Sequence, residues 1–327
     1  MVDVLDLRQF HASQLEALLA AEADEWNRIL DWDYEPSVEL IRQYVDARIL
    51  PGYVLVERAW GHRAPLGYGF FIHEGRKGMI GNLFVAPEHR DGGHAEFTLL
   101  EHMIATLAAT PRLDRIEAQL MAFAPATLAS CFATNGFASY RRVFLELGLS
   151  APPGAGEVDA EPAGTTHWQD VRLEPWGSAS YEEAARLIQI AYERHVDSRI
   201  NDQYRSFAGA MRFMHNIAHY PGCGIFDASA SFLARSRDRG TLEGMILTSR
   251  VKPDVAHITQ ICVRPERQRR GLGQALLTRA LASLRHQHLR AASLTVTSEN
   301  IAALALYRRF GFLRLSEFDA YVWERKL

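Results

Sequence analysis

The chain has 327 residues, enough for two domains of ordinary size, and its 48% hydrophobic and 23% charged content is that of a soluble globular protein. The net charge of −3 leaves no broad basic field, so no nucleic-acid partner is expected. Cys131, Cys223 and Cys262 lack metal-ligand spacing, so they read as reduced core thiols and no metal is expected.

The opening segment MVDVLDLRQF has no basic stretch followed by an apolar run, so it does not read as a signal peptide. No run of about eighteen apolar residues occurs, which argues against a membrane span. A cytoplasmic location follows as the expectation. Early in the chain, DEWNRILDWDYEP sets Trp26, Trp32 and Tyr34 among acids. That reads either as core at a helix–loop junction or as an aromatic pocket for a cation. The segment MIGNLFVAPEHRDGGHAEFTLL then runs from an apolar strand through a proline and glycines into a helix.

APPGAGEVDAEPAGTTH, Ala151 to His167, is rich in Pro, Gly, Ala and acid and has no apolar period. It reads as a linker and divides the chain into nearly equal parts: 1–149, a linker over 150–166, and 167–327. Beyond it, VRLEP reads as a strand, SYEEAARLIQIAYERH as an amphipathic helix, and roughly 202–219 as a second helix. SFLARS and LEGMILTSRV read as antiparallel strands, and HITQICV as the next strand. LGQALLTRALASLRHQ is a strong helix, ASLTVT a strand, NIAALALYRRF a helix, and FDAYVWERKL a closing strand of the second part.

The two halves repeat. Val85-Ala86-Pro87-Glu88 lies over Val263-Arg264-Pro265-Glu266, and Arg90, Gly93 and Ala95 fall on Gln268, Gly271 and Gly273. Farther on, Cys131 to Phe137 lies over Leu306 to Phe312. Two anchors at nearly equal spacing imply two copies of one fold.

In the second copy, Arg269 and Arg270 stand against Gly271 and Gly273 at a helix start. Such a start carries unpaired N–H groups and a partial positive charge. Glycines let the backbone approach a phosphate, and arginine pairs a phosphate at two points. The loop therefore reads as a pyrophosphate cradle or as a tight turn with exposed arginines. Leu272 after Gly271 excludes a Walker loop, and Leu276 excludes the dinucleotide fingerprint.

The segment ICVRPERQRRGLGQALL resembles the central motif of the GNAT superfamily of acyl-CoA N-acyltransferases, (Gln/Arg)-x-x-Gly-x-(Gly/Ala) after a Val-x-Pro strand end. Gln268, Gly271 and Gly273 match it. TSENIAALALYRRFGF resembles a second motif of that family, through Asn300, Ala303, Tyr307, Gly311 and Phe312. The resemblance covers 167–327 well and 1–149 more loosely.

It implies an α/β (mixed α+β) protein of two tandem GNAT-like modules, each a central, mostly antiparallel twisted sheet with helices on both faces. It implies acetyl-CoA as acyl donor. The pyrophosphate would meet Gln268, Arg269, Arg270, Gly271, Leu272, Gly273 and Gln274, and the pantetheine arm would lie along Ile261, Cys262 and Val263, as an added strand does. Asn300 holds that arm, caps its helix, or does both. The implied reaction is acetyl transfer to an amine of a small molecule by direct attack. Tyr307 matches the family's acid for the departing thiolate. His257 on the central strand, or Glu299, would be the base unless water serves, and alternation along that strand puts 257, 259, 261 and 263 on one face.

His195, Asp197, Arg199, Asn201 and Tyr204 would bind a polar acceptor or form a solvated inter-helix loop. In the first copy the positions of Asn300, Tyr307 and His257 hold Pro125, Phe132 and Met79, and Asp91 adds a negative charge to its loop. That module is expected not to catalyse. A protein N-terminal or lysine acetyltransferase, an O-acyltransferase and a non-catalytic CoA-binding sensor or interaction protein stand as alternatives. A monomer or homodimer without a membrane partner completes the expectation.

Overall fold

The computed structural model describes residues 2–59, 62–90, 92–150, 170–220 and 222–325. Two compact units result: Met1–Arg142 with Ser316–Leu327, and Val143–Leu315. The linker Ala151 to His167 and Asp91 lie outside the described residues.

The first unit begins with β1 (Val2–Asp6), α1 (Glu16–Leu30) and α2 (Glu35–Asp46), then β2 (Gly52–Ala59), β3 (His62–Glu74) and β4 (Lys77–Val85). It continues through α3 (His94–Ala109), β5 (Arg115–Gln119), α4 (Ala129–Thr134) and β6 (Ala138–Gly148), whose residues from Val143 onward belong to the second unit. The second unit adds β7 (Val171–Pro175), α5 (Tyr181–Tyr192), α6 (Asp197–Ile200), α7 (Phe207–His219), β8 (Ile225–Phe226), β9 (Phe232–Ser236) and β10 (Leu242–Lys252). It ends with β11 (Val255–Val263), α8 (Leu272–His286), β12 (Ala291–Thr297), α9 (Ile301–Arg309) and the start of β13 (Leu313–Glu324).

The strand order is β1-β2-β3-β4-β5-β13 in the first unit and β6-β12-β11-β10-β9-β7 in the second. Antiparallel pairing dominates, and β4–β5 and β11–β12 are parallel. Helices cover both faces of the second sheet. On one side α8 buries Leu276, Leu277, Leu281 and Leu284 against Ala256, Ile258 and Val263. Each such leucine stabilises the fold by about 1.5–3 kcal/mol. On the other, α5 and α7 bury Leu187, Ile188 and Met214 against Met245, Leu247 and Cys262.

The expected closing strand of the second part goes elsewhere. Ala320 to Glu324 of β13 pair with β5 of the first unit, and Tyr321 stacks on Phe132 there at 3.8 Å. In return, Val143, Leu145 and Leu147 of β6 enter the core of the second unit. The boundaries 1–149 and 167–327 are corrected accordingly. The physical reason is where the apolar residues lie: both strands are exposed at their first residues and buried toward their C-terminal halves. Cys223 is also corrected, since it is exposed, whereas Cys131 and Cys262 are buried thiols.

The two copies share fine geometry. β4–β5 pairing runs from Lys77↔Arg115 to Ile80↔Ala118, and β11–β12 pairing from Val255↔Ala291 to Ile258↔Leu294. Just past each end, one residue is left out of the antiparallel ladder, Gly81 in one copy and Thr259 in the other. The alignment at the Val-x-Pro anchor superposes those two bulges.

Candidate active site

After Ile258 and Leu294 the parallel pairing stops, while β11 runs on to Val263 and β12 to Thr297. The strands splay. Along this side, residues 259–263 of β11 have no strand partner from β12. A linear amide-bearing chain can add there as a further strand does.

The strand leads into a turn over Pro265–Arg267 and then into α8. The side-chain amide of Gln268 donates back to the Val263 carbonyl (3.1 Å), which ties the loop to the strand end. Arg269 (φ +57°) and Gly271 (φ +83°) take left-handed conformations that swing the chain into the helix. No side chain caps α8 at Gly271. A Cβ on Gly273 would meet only Val263 Cγ2, at 3.9 Å. Arg269 and Arg270 are exposed. An open helix start flanked by two arginines fits a pyrophosphate.

The bulge at Thr259 corrects the expected alternation. One extra residue reverses which way every later side chain points. Ile261 and Val263 therefore lie with Ile258 on the α8 side, and Cys262 lies on the α5–α7 side. His257 faces with Gln260 and Cys262, not with 261 and 263. Its Nδ1 meets Ser293 Oγ at 2.9 Å, and its ring stacks on Phe144 at 5.6 Å. Ser293 in turn donates to the Ala256 carbonyl (3.3 Å), so its oxygen accepts from His257. In that arrangement Nδ1 carries the proton and Nε2 the lone pair, an assignment that follows from the hydrogen bonds.

Tyr307 is buried in the core beside Phe312, with ring centres 5.8 Å apart. Among the described residues its hydroxyl has no hydrogen-bond partner. Burial first, and the charge of Asp197 second, hold its pKa well above the usual tyrosine value. The hydroxyl therefore stays protonated, as a proton donor must. Asn300 Oδ1 accepts from the Ala303 N–H (3.2 Å) and caps α9, and its Nδ2 faces His195 Nε2 at 3.1 Å. Glu299 is exposed.

Sequence reasoning left the segment after α5 open, and the structure ties it down. Thr297 donates to the Asp197 carboxylate, Asn201 caps the following turn through the Gln203 N–H (3.1 Å), and Tyr204 stacks on Tyr192 at 4.4 Å. His195 and Asp197 thereby meet the end of β12 and the start of α9. Arg199 is exposed. Tyr192 and Gln260 were missed: the Tyr192 hydroxyl donates to Gln260 Oε1 (3.2 Å). The signal available was an amide, Gln260, in the middle of the strand HITQICV.

The matching loop of the first unit is wired differently. Arg90 donates to both oxygens of Glu25 (2.9 and 2.5 Å) and to the Val85 carbonyl (2.8 Å), the bond that Gln268 makes in the other copy. Trp26 stacks on Tyr34 at 4.3 Å and meets Trp32 edge-on at 6.0 Å. Close by, Glu22 is fully buried and accepts from Tyr68 and from Asn82 (2.7 Å). Phe132 offers no proton.

Among the described residues no helix is long and apolar enough to cross a membrane, and no cluster of ligands for a metal ion occurs.

Comparison with known proteins agrees with this geometry. Residues 187–312 match the Acetyltransferase (GNAT) family. The fold is that of GNAT proteins, tandem ones among them, and the matched residues lie in the second unit. Among curated relatives, a mycothiol acetyltransferase of Clavibacter sepedonicus is 29% identical over 76% of this chain and 73% of its own. Another, of Acidimicrobium ferrooxidans, is 40% identical over 29% of this chain, and the match spans only 31% of that relative. Two solved structures share the fold: a GCN5-related N-acetyltransferase of Sphaerobacter thermophilus (TM-score 0.64, 16% identity, 99% of this chain and 95% of that one), and a tandem GNAT protein of the clavulanic acid biosynthesis pathway (TM-score 0.59, 16% identity, 99% and 98%).

Proposed function

We propose that the second unit transfers an acetyl group from acetyl-CoA to the amine of a small molecule, and that the first unit does not catalyse. The observation that carries this reading is the splay after Ile258 and Leu294, which opens beside the uncapped start of α8. The backbone from Gln268 to Gln274, with Arg269 and Arg270, holds the pyrophosphate, and the unpaired edge of Ile261, Cys262 and Val263 holds the pantetheine. Asn300 caps α9 beside that arm. The bound cofactor supplies an acetyl group activated as a thioester.

His257 Nε2 takes a proton from the attacking amine, directly or through water, while Ser293 fixes the ring by accepting from Nδ1. Tyr307 gives its proton to the departing sulfur. Burial keeps Tyr307 protonated for that step. The relatives named mycothiol acetyltransferases support an acceptor of the mycothiol kind, the amine that acetylation converts to it.

The experiment is to incubate the protein with acetyl-CoA and a set of amines that includes deacetylated mycothiol, and to read products by mass spectrometry. Acetylated amine with release of CoA is the expected result. Failure to bind acetyl-CoA at about millimolar concentration would sink the reading.

A further inference from the structure

Two buried polar side chains flank His257, and each has one polar atom without a hydrogen-bond partner among the described residues. Gln260 is 5% exposed and Ser249 is fully buried. The Oε1 of Gln260 is taken by Tyr192, while among the described residues neither its Nε2 nor Ser249 Oγ has a hydrogen-bond partner. Turning the Gln260 amide over exchanges which of its atoms lacks a partner and does not remove the deficit. Buried polar atoms in folded proteins are nearly always satisfied, and an unmet one costs about 1–3 kcal/mol. Two of them on one face of one sheet point to something that arrives to meet them.

Their placement says what that is. Ser249 pairs directly with His257 across β10 and β11, and His257 pairs with Ser293 across β11 and β12. Gln260 lies opposite Leu247, two residues from Ser249 along β10, so the bulge at Thr259 sets it on the same face as His257. This is the side covered by α5 and α7, opposite α8 and its open helix start. A cofactor seated on α8 and along the splayed edge leaves this side for the acceptor.

We infer that Gln260 and Ser249 form an acceptor subsite. It takes an amine that carries a hydrogen-bond-accepting oxygen, a carbonyl above all, on the carbon next to the one bearing the nitrogen. Gln260 Nε2 donates to that oxygen, Ser249 Oγ adds a second bond, and the amine is turned toward His257. A site built to hydrogen-bond such an oxygen rejects an amine that lacks it, because the buried donors are then left unmet. The inference rests on the proposed acetyl transfer and names the acceptor's chemistry.

The test uses the full chain, acetyl-CoA and two amines, L-alaninamide and isopropylamine. Both have the nitrogen on a methyl-bearing carbon, and only the first has the adjacent carbonyl. The quantity read is the preference, kcat/KM for alaninamide over that for isopropylamine, so the differing basicity of the amines cancels between variants. Gln260→Leu is expected to lower the preference about 30-fold and Ser249→Ala about 5-fold, with acetyl-CoA affinity within about twofold of the unmodified protein. Equal losses on both amines, or a weakened acetyl-CoA affinity, overturn the assignment.

If the unmodified protein acetylates neither amine, the proposed function fails for these substrates, and binding decides the subsite separately. The side-chain amide signal of Gln260 in isotopically labelled protein is identified by its loss in Gln260→Leu. A shift of that signal with alaninamide and none with isopropylamine upholds the subsite. No shift up to about 100 mM alaninamide overturns it.

Discussion

His257 Nδ1 lies 2.9 Å from Ser293 Oγ, at the last pair but one before β11 and β12 part. The contact joins the two arms of the splay where they still pair, and it fixes the ring just before the strands open. With Ser293 donating to the Ala256 carbonyl, the contact favours the tautomer whose lone pair is on Nε2.

His257→Ala is expected to lower kcat about 100-fold and to remove the acidic limb of its pH profile. Ser293→Ala leaves the imidazole in place but frees its orientation, so a loss of about tenfold with the limb retained is expected. Turnover measured across pH for both variants checks this. Full activity and an unchanged profile in His257→Ala would take the residue out of the mechanism.

Tyr307→Phe keeps the buried ring and removes only a hydroxyl that makes no hydrogen bond among the described residues. Stability is expected to change by less than about 1 kcal/mol, while kcat falls about 100-fold or more. Because burial raises the Tyr307 pKa, the acid form persists to higher pH than an exposed tyrosine allows. The alkaline fall in turnover is therefore expected above about pH 10. Thermal melting and a pH–rate profile test both parts.

A side chain at Gly273 meets only an ordinary van der Waals contact with Val263, so Gly273→Glu is expected to fold. Its carboxylate would project toward the pyrophosphate at the start of α8. Calorimetric titration with acetyl-CoA should show one bound cofactor fewer per chain than the unmodified protein, at an unchanged melting temperature. An unchanged stoichiometry would move the cofactor site elsewhere.

Glu22 gives the first unit a pH-dependent stability. Burial pushes its carboxyl up from 4.5 to about 7, against the hydrogen bonds from Tyr68, Asn82 and Trp26 that favour the ionised form. A carboxyl whose folded pKa is raised holds its proton more tightly when folded. Its contribution is therefore full below about pH 4.5, declines as pH rises, and is lost above about pH 7. The expected difference is of order 3 kcal/mol. Denaturant unfolding from pH 4.5 to 8, compared with Glu22→Gln, reads it, and the variant should show a flatter dependence over this range.

Local features of the chain were legible in sequence because their physics is local. Val263-x-Pro265, the glycines of the loop and the periodic leucines of α8 specify a strand end, a turn and a helix within a few residues of each other. The repeat of that pattern specified two copies of one fold, and the motifs around Gln268 and Asn300 carried the resemblance to the GNAT family. Asn300 also declared its own cap, since a cap needs only the N–H three residues on.

Tertiary structure alone decided the rest. Which sheet receives β6 and β13 depends on the cores that bury Val143 and Tyr321, far away in sequence. Which residues share the face of His257 depends on a single residue, Thr259, that drops out of the ladder made with the preceding strand. Alternation has a period of two, so one unpaired residue reverses every later side chain, and nothing in HITQICV marks it. The partners of His257, Gln260 and Asp197 come from Ser293, Tyr192 and Thr297, which only the folded register brings within hydrogen-bond reach. The residue types set the chemistry available at this site, and the register of the strands decided which groups share it.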